Sequence, residues 1–382
     1  MKILVINSGS SSIKYKFFEA KTSRPLCRGF VERIGSDSSI LTHQTLGRKP
    51  VIVEVNAPDH TKAIRYIFDM LVHSTSGVIS SYREISGIGH RVVHGSDIFT
   101  EPTIINDKVI KAIERFNELA PLHNPPALLG IRACARFAKK IPQVAVFDTS
   151  FYNTVPEKAF IYGIPFELYK SLKIRRFGFH GTSHKFVAKQ AAKSLNKDLS
   201  KLKLVTCHLG NGCSATAINH GRAIDTSMGF TPLEGLLMGT RCGDIDAAAV
   251  LFIMEKKGLN IKGVDKLLNK ESGLLGLSGV SNDMRDVLKA ANTGNKRAKL
   301  AIELFLYRLK KYIGAYAASM DGLDAVVLTA GIGENLPLIK NRISKELHNF
   351  LYRFRAKLLV IPTDEELMIS HETAEVLSKK GK

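Results

Sequence analysis

The chain has 382 residues, 45% of them hydrophobic, a mean hydropathy near zero and a formal charge of +20. That length suits two domains better than one core. No apolar run approaches the roughly 18 residues of a membrane-spanning helix, and the opening MKILVINSGSSS lacks the apolar segment of a secretion signal, so a cytoplasmic protein is expected.

Read in chain order, short apolar runs predict buried strands at 3–6, 51–55, 144–147, 204–206 and 325–329. Helical periodicity between them covers 61–73, 127–140, 183–195, 246–257 and 297–320. Strands alternating with helices argue for an α/β fold. The expected boundary falls near Ser150, before an irregular stretch at 152–177. One pattern occurs twice: a strand, a turn of small residues and a second strand, at NSGSSS (7–12) and again at HLGNG (208–212). Such an echo points to two similar domains. Five cysteines (Cys27, Cys134, Cys207, Cys213, Cys242) form no CxxC pair, which predicts reduced thiols rather than disulfides or a zinc site. Lys and Arg are scattered without an aromatic-studded basic tract, so no nucleic-acid partner is expected and the charge reads as an anion-attracting surface.

Small residues in tight turns let backbone N–H groups face an anion. The turns at 7–12 and 208–212, with Lys14 nearby, and a third loop at 331–335 fit that role, while the Walker A and GxGxxG spacings are absent. Charged and imidazole groups also cluster among glycines. Arg91 and Arg241 suit a bidentate clamp on a carboxylate or phosphoryl group. His180 suits a hydrogen bond to a phosphoryl oxygen. Asp148, Glu365 and Asn7 suit Mg2+, held directly or through water. The individual histidines 90, 94, 123 and 184 read more readily as structural.

Taken together, VINSGSSSIKY, GHRVVHG, PLHNPP, VFDTSF, FGFHGTSH, HLGNG, DTSMGFTPLEGLLMGTRCGDID, ESGLLGLSG, TAGIGEN and IPTDEE resemble the acetate kinase family, within the sugar-kinase and actin superfamily, across nearly the whole chain. The resemblance implies two similar ribonuclease-H-like α/β domains flanking a cleft. The first would span 1–150 with a returning C-terminal helix at about 366–382, and the second, nucleotide-binding domain would span 151–365. It implies reversible, direct in-line phosphoryl transfer from ATP to acetate, giving ADP and acetyl phosphate, with Mg2+ (or Mn2+) as cofactor, in a homodimer.

Carried over residue by residue, the resemblance assigns Asp148, His180, Arg241 and Arg91 to catalysis. Arg91, Val93, Leu122, Phe179 and Pro232 would hold the substrate. Lys14, His208, Leu209, Gly210, Asn211, Gly212, Asp283, Met284, Arg285, Gly331, Ile332, Gly333, Glu334 and Asn335 would bind ATP. Asn7 and Glu365 would serve the metal, with Glu366 as the alternative glutamate. The alternative substrates are propionate and butyrate. Departures from the family pattern are Cys242, Ala127 and Asp364, where Ser, Asn and Asn are common, and a shorter segment at 341–359.

Overall fold

The computed structural model describes residues 1–121 and 123–380. They form two compact units, 1–151 with 364 onward, and 152–363.

The first unit is built on eight strands: β1 (Lys2–Ser8), β2 (Ser12–Glu19), β3 (Arg24–Glu32), β4 (Ser39–Thr45), β5 (Val51–Val55), β6 (Gly87–Val92), β7 (Thr103–Ile104) and β8 (Gln143–Phe147). Their order is β5-β4-β3-β2-β1-β6-β8-β7. β1 to β5 form an antiparallel meander, and β6 and β8 add in parallel beside β1. The alternation of side chains along a strand sends β1 into two cores at once. Leu4 and Ile6 join the cluster under helices His60–Leu71 and Asn124–Phe137, while Ile3 and Val5 join Phe18, Val144, Val146 and Ile369. Ile369 belongs to helix Glu365–Lys380, which crosses that second face. Glycines make room for it: a Cβ on Gly89 would sit 2.4 Å from Thr373 Oγ1, and one on Gly87 2.3 Å from a Leu377 methyl.

The second unit repeats the plan in five strands: β9 (Lys203–Leu209), β10 (Cys213–Asn219), β11 (Arg222–Thr226), β12 (Ala325–Thr329) and β13 (Lys357–Val360), in the order β11-β10-β9-β12-β13. A hairpin-connected antiparallel trio is followed by two parallel strands, as in β3-β2-β1-β6-β8. The repeated strand–turn–strand pattern in the sequence is therefore the opening hairpin of one repeated architecture. Helices Gly181–Leu195 and Lys296–Ser319 pack on its sheet.

Three expectations are corrected. Strand 51–55 is not buried: β5 is the outer strand of its sheet, and its side chains are exposed on both faces, Ile52 at 67%, because no layer among the described residues packs over them. The loop at 331–335 is instead the body of a short helix, Ala330–Asn335, whose first turn is capped by its own Glu334. The stretch 152–177 contains short helical turns, Glu157–Phe160 and Phe166–Leu172, which are too brief to show periodicity.

Candidate active site

In the first unit, the carboxyl ends of β1, β6 and β8 carry Asn7, Arg91 with Val93, and Asp148. Strand ends of this kind are where open α/β sheets place ligand groups. Arg91 grips Asp148 with its fork: Nη2 donates to Oδ2 at 2.6 Å and Nε to the same oxygen at 3.2 Å. Glu365, in the first turn of the closing helix, has Oε2 3.6 Å from Arg91 Nε. Burial alone would lower the guanidinium pKa, but the two carboxylates reverse that and hold it above its ordinary value. The Glu365 carboxyl is pushed up, first by burial and then by Asp148 and Glu366, against the pull of Arg91.

The two candidate glutamates, Glu365 and Glu366, have different neighbours. Lys16 Nζ reaches Asp364 Oδ1 at 2.9 Å and Glu366 Oε2 at 3.2 Å. Asp364 also caps the helix by accepting from the Leu367 N–H. Glu366 is therefore engaged on β2, and Glu365 is the glutamate that faces Arg91 and Asp148. Lys16 went unremarked in the sequence reading; its spacing from Lys14 on one face of a strand was the available signal. Lys14 is the register partner of Asn7.

These donors are all oxygens, and they suit Mg2+ in its usual mode. Among the described residues no group of three or more His, Cys, Asp and Glu converges as a metal cage. A cation here would keep most of its shell as water and phosphate oxygen, which is how Mg2+ commonly binds. The buried Asp148 and the half-buried Glu365 both face Arg91, which gathers carboxylate oxygens on the side where such an ion would sit.

In the second unit, His180 precedes helix Gly181–Leu195 in a left-handed conformation, φ 58°. Such strain in a non-glycine residue persists where the surroundings over-determine it. Its Nδ1 lies 2.9 Å from Ser214 Oγ, and its ring stacks on His208 at 4.1 Å between centroids. Arg241 Nη1 donates to the Pro232 carbonyl at 3.0 Å. Burial lowers the Arg241 pKa, so this guanidinium favours gaining an anion. Both groups converge on Gly212 in the β9–β10 turn. A Cβ there would stand 3.6 Å from His180 Nε2 and 3.6 Å from Arg241 Nη1.

Next to this turn lies a cavity of about 530 Å³, lined by Gly210, Asn211, Asp283, Met284, Arg285, Gly331, Ile332 and Asn335. Three segments far apart in sequence are thus brought together. Asn282 and Leu336 also line the cavity and were missed; Asn282 is bound to Asn211 by a 3.0 Å amide hydrogen bond. Asp283 caps helix Met284–Asn292 and pairs with Arg285.

The remaining assigned residues do not line this cavity. Leu209 is buried in β9. His208 bonds Ser183 through Nδ1 at 2.9 Å. Glu334 spends Oε1 on the Ala330 and Thr363 N–H groups, at 2.6 and 3.0 Å, and on the Thr329 hydroxyl, while Gly333 is packed inside the same turn. They shape the strand-to-helix corner. Val93 and Phe179 are buried apolar side chains of the first and second units, and Phe179 is fixed by Tyr152, whose hydroxyl donates to its carbonyl at 2.5 Å. Leu122 lies outside the described residues.

Comparison with known proteins gives one consistent result. The model of the acetokinase family matches residues 2–377. The acetate kinase of Halothermothrix orenii is 51% identical over 99% of this chain and all of its own length. That of Thermotoga maritima is 48% identical with both chains fully covered. Among solved structures, Porphyromonas gingivalis acetate kinase superposes with a TM-score of 0.92 at 41% identity, covering 98% of this chain and 99% of its own. A propionate kinase from Francisella tularensis superposes at 0.90 with 39% identity and the same coverage.

Proposed function

This chain belongs to the acetokinase family, and on that premise we propose that it transfers the γ-phosphoryl group of ATP to acetate, reversibly, giving acetyl phosphate and ADP. A carboxylate oxygen of acetate attacks phosphorus, and the bond from phosphorus to the β,γ-bridging oxygen breaks in line. Such transfers need positioned positive charge more than covalent help. Arg91 holds the acetate carboxylate, with Val93, Phe179, Pro232 and Leu122 around its methyl group. Arg241 and the His180 ring donate to the phosphoryl oxygens. The cavity beside Gly210 and Asn211 receives the nucleotide, and Lys14 adds a cation for its phosphates. Mg2+, when bound, neutralises phosphate charge; Asn7 and Glu365, ordered by Asp148, would hold it.

Asp148 is not assigned as a base. Acetate is already ionised at neutral pH, with carboxyl values near 4, so there is no proton to remove. Its grip on Arg91 supports a role in placing charge.

The convergence of His180 Nε2 and Arg241 on Gly212 carries the reading. A hydroxamate trap tests it: purified protein, MgATP and acetate, with hydroxylamine to capture acetyl phosphate. Acetohydroxamate that fails to form, or forms equally with Arg241→Ala, refutes it. The likeness to a propionate kinase favours a second reading, propionate as substrate. One methylene changes discrimination by only about 1–3 kcal/mol, and kcat/KM for the two acids compared side by side decides between them.

We further propose a homodimer. Helix Ala247–Lys257 opens AAAVLFIM yet buries no residue, and Leu251, Phe252 and Ile261 are 67, 60 and 79% exposed. Large apolar side chains left exposed along one short stretch of chain suit an association site. Five free cysteines suit a reducing cytoplasm, and no helix among the described residues is long and apolar enough to cross a membrane.

A further inference from the structure

Behind His180, the second unit holds a chain of hydrogen bonds that phosphoryl transfer as described does not use. The Thr206 hydroxyl on β9 lies 2.7 Å from His184 Nδ1. His184 Nε2 lies 2.8 Å from the Ser214 hydroxyl on β10, and that hydroxyl lies 2.9 Å from His180 Nδ1. Thr206, His184 and Ser214 are all 0% exposed. With no bulk water to lend or accept a proton, each hydrogen must be allotted among these four groups.

The allotment has a direction. Among the described residues, the Thr206 hydroxyl has His184 as its hydrogen-bonding partner and no other. Were it to accept from His184, its own O–H would be buried without an acceptor, the costly arrangement. It therefore donates to Nδ1. Burial, reinforced by His208, holds His184 well below the ordinary imidazole value, so the ring is neutral and carries its single hydrogen on Nε2. Nε2–H donates to Ser214, and Ser214, its oxygen now accepting, donates onward to His180 Nδ1.

We propose that Thr206, His184 and Ser214 are positioning residues that fix His180 as the neutral tautomer bearing its hydrogen on Nε2. That nitrogen is the one beside Arg241 over Gly212. His180 then presents an N–H donor without a full charge, and its hydrogen bond strengthens as charge gathers on the phosphoryl oxygens. Protonating His180 would put a second hydrogen on Nδ1 and oppose the Ser214 O–H. The whole chain would have to reverse, stranding the Thr206 hydrogen. A tautomer locked in advance is preorganisation, because no donor has to turn at the moment of reaction.

The catalytic part of this inference rests on His180 meeting the phosphoryl group as proposed above; the tautomer itself does not. The test is ring-nitrogen NMR of the full chain labelled with 15N-histidine, without substrates, with His180 assigned as the signal missing from His180→Asn. The expected spectrum shows a protonated Nε2 and a bare Nδ1. Ser214→Ala should mix the tautomers and lower kcat about tenfold, the size of one lost hydrogen bond, with KM for ATP and acetate unchanged. A protonated Nδ1 on His180 in the wild type overturns the proposal, and that spectrum decides even if Ser214→Ala fails to fold. Mixed tautomers with an unchanged kcat would overturn the positioning role. If the hydroxamate trap is negative while the spectrum is as expected, the function reading fails and the tautomer assignment stands.

Discussion

At the scale of single residues, chemistry here depends on guanidinium forks. Arg91→Ala and Arg241→Ala should each lower kcat/KM about 10³-fold, in the range of arginine fingers. Lysine at either site should recover little, because an ammonium keeps the charge and loses the paired donors. For Asp148→Asn, activity that returns as Mg2+ is raised supports charge placement; a loss indifferent to metal contradicts it. Most of these residues were legible in the sequence, because His and Arg set among glycines have no use on a solvated face and Asp148 ends a buried-type strand. What could not be read was which neighbour engages each polar atom. Glu365 and Glu366 are adjacent and chemically equivalent in sequence, and only the position of Lys16 on β2 separates them. Glu334 sat in a glycine-rich string that promised nucleotide contact, yet its carboxylate closes its own turn.

At the scale of elements, Lys16 ties the start of helix Glu365–Lys380 to β2 through Asp364 and Glu366. Lys16→Met should raise the Mg2+ concentration needed for half-maximal activity while leaving kcat at saturating metal nearly unchanged, as a metal titration would show. A second expectation concerns β6. Burial depresses His90 from an ordinary 6.5 to about 4, with Gln143 Oε1 at 2.7 Å opposing the shift. The folded state keeps this ring neutral, whereas the unfolded chain takes up a proton near 6.5. The stability the neutral ring provides above that value is therefore lost as pH falls toward 4, by about 3 kcal/mol in all. Urea midpoints at pH 7 and pH 5 should drop less in His90→Gln than in the wild type. The apolar runs announced β1, β8, β9 and β12 because those strands are covered on both faces. β3, β4 and β6 stayed hidden: RPLCRGFVE and SILTHQT alternate with polar residues, and GIGHRV trades bulk for glycines that admit a helix. β5 misled, since a strand of VIVEV reads as core and lies at an edge.

At the scale of the molecule, the duplicated sheet was visible in two short turn strings, because a small-residue turn between strands survives where side-chain detail does not. The apolar helix Ala247–Lys257 was expected as a helix, but nothing in one sequence distinguishes a helix covered by its own fold from one left for a second copy. Leu251→Asp with Phe252→Asp should convert a dimer to monomers in light scattering without lowering the thermal midpoint of the monomer; a wild type that is already monomeric removes the proposal.

The first unit is discontinuous: its sheet is finished only by the last helix of the chain. During biosynthesis Ile3, Val5 and Phe18 leave the ribosome almost a full chain length before Ile369 arrives to cover them. At about 5–20 residues per second, that face stays wet for roughly 20–70 s. Nascent chains halted ahead of Glu365 should therefore remain open to proteases across the early strands and should recruit a holding chaperone, whereas release of the final helix should end both.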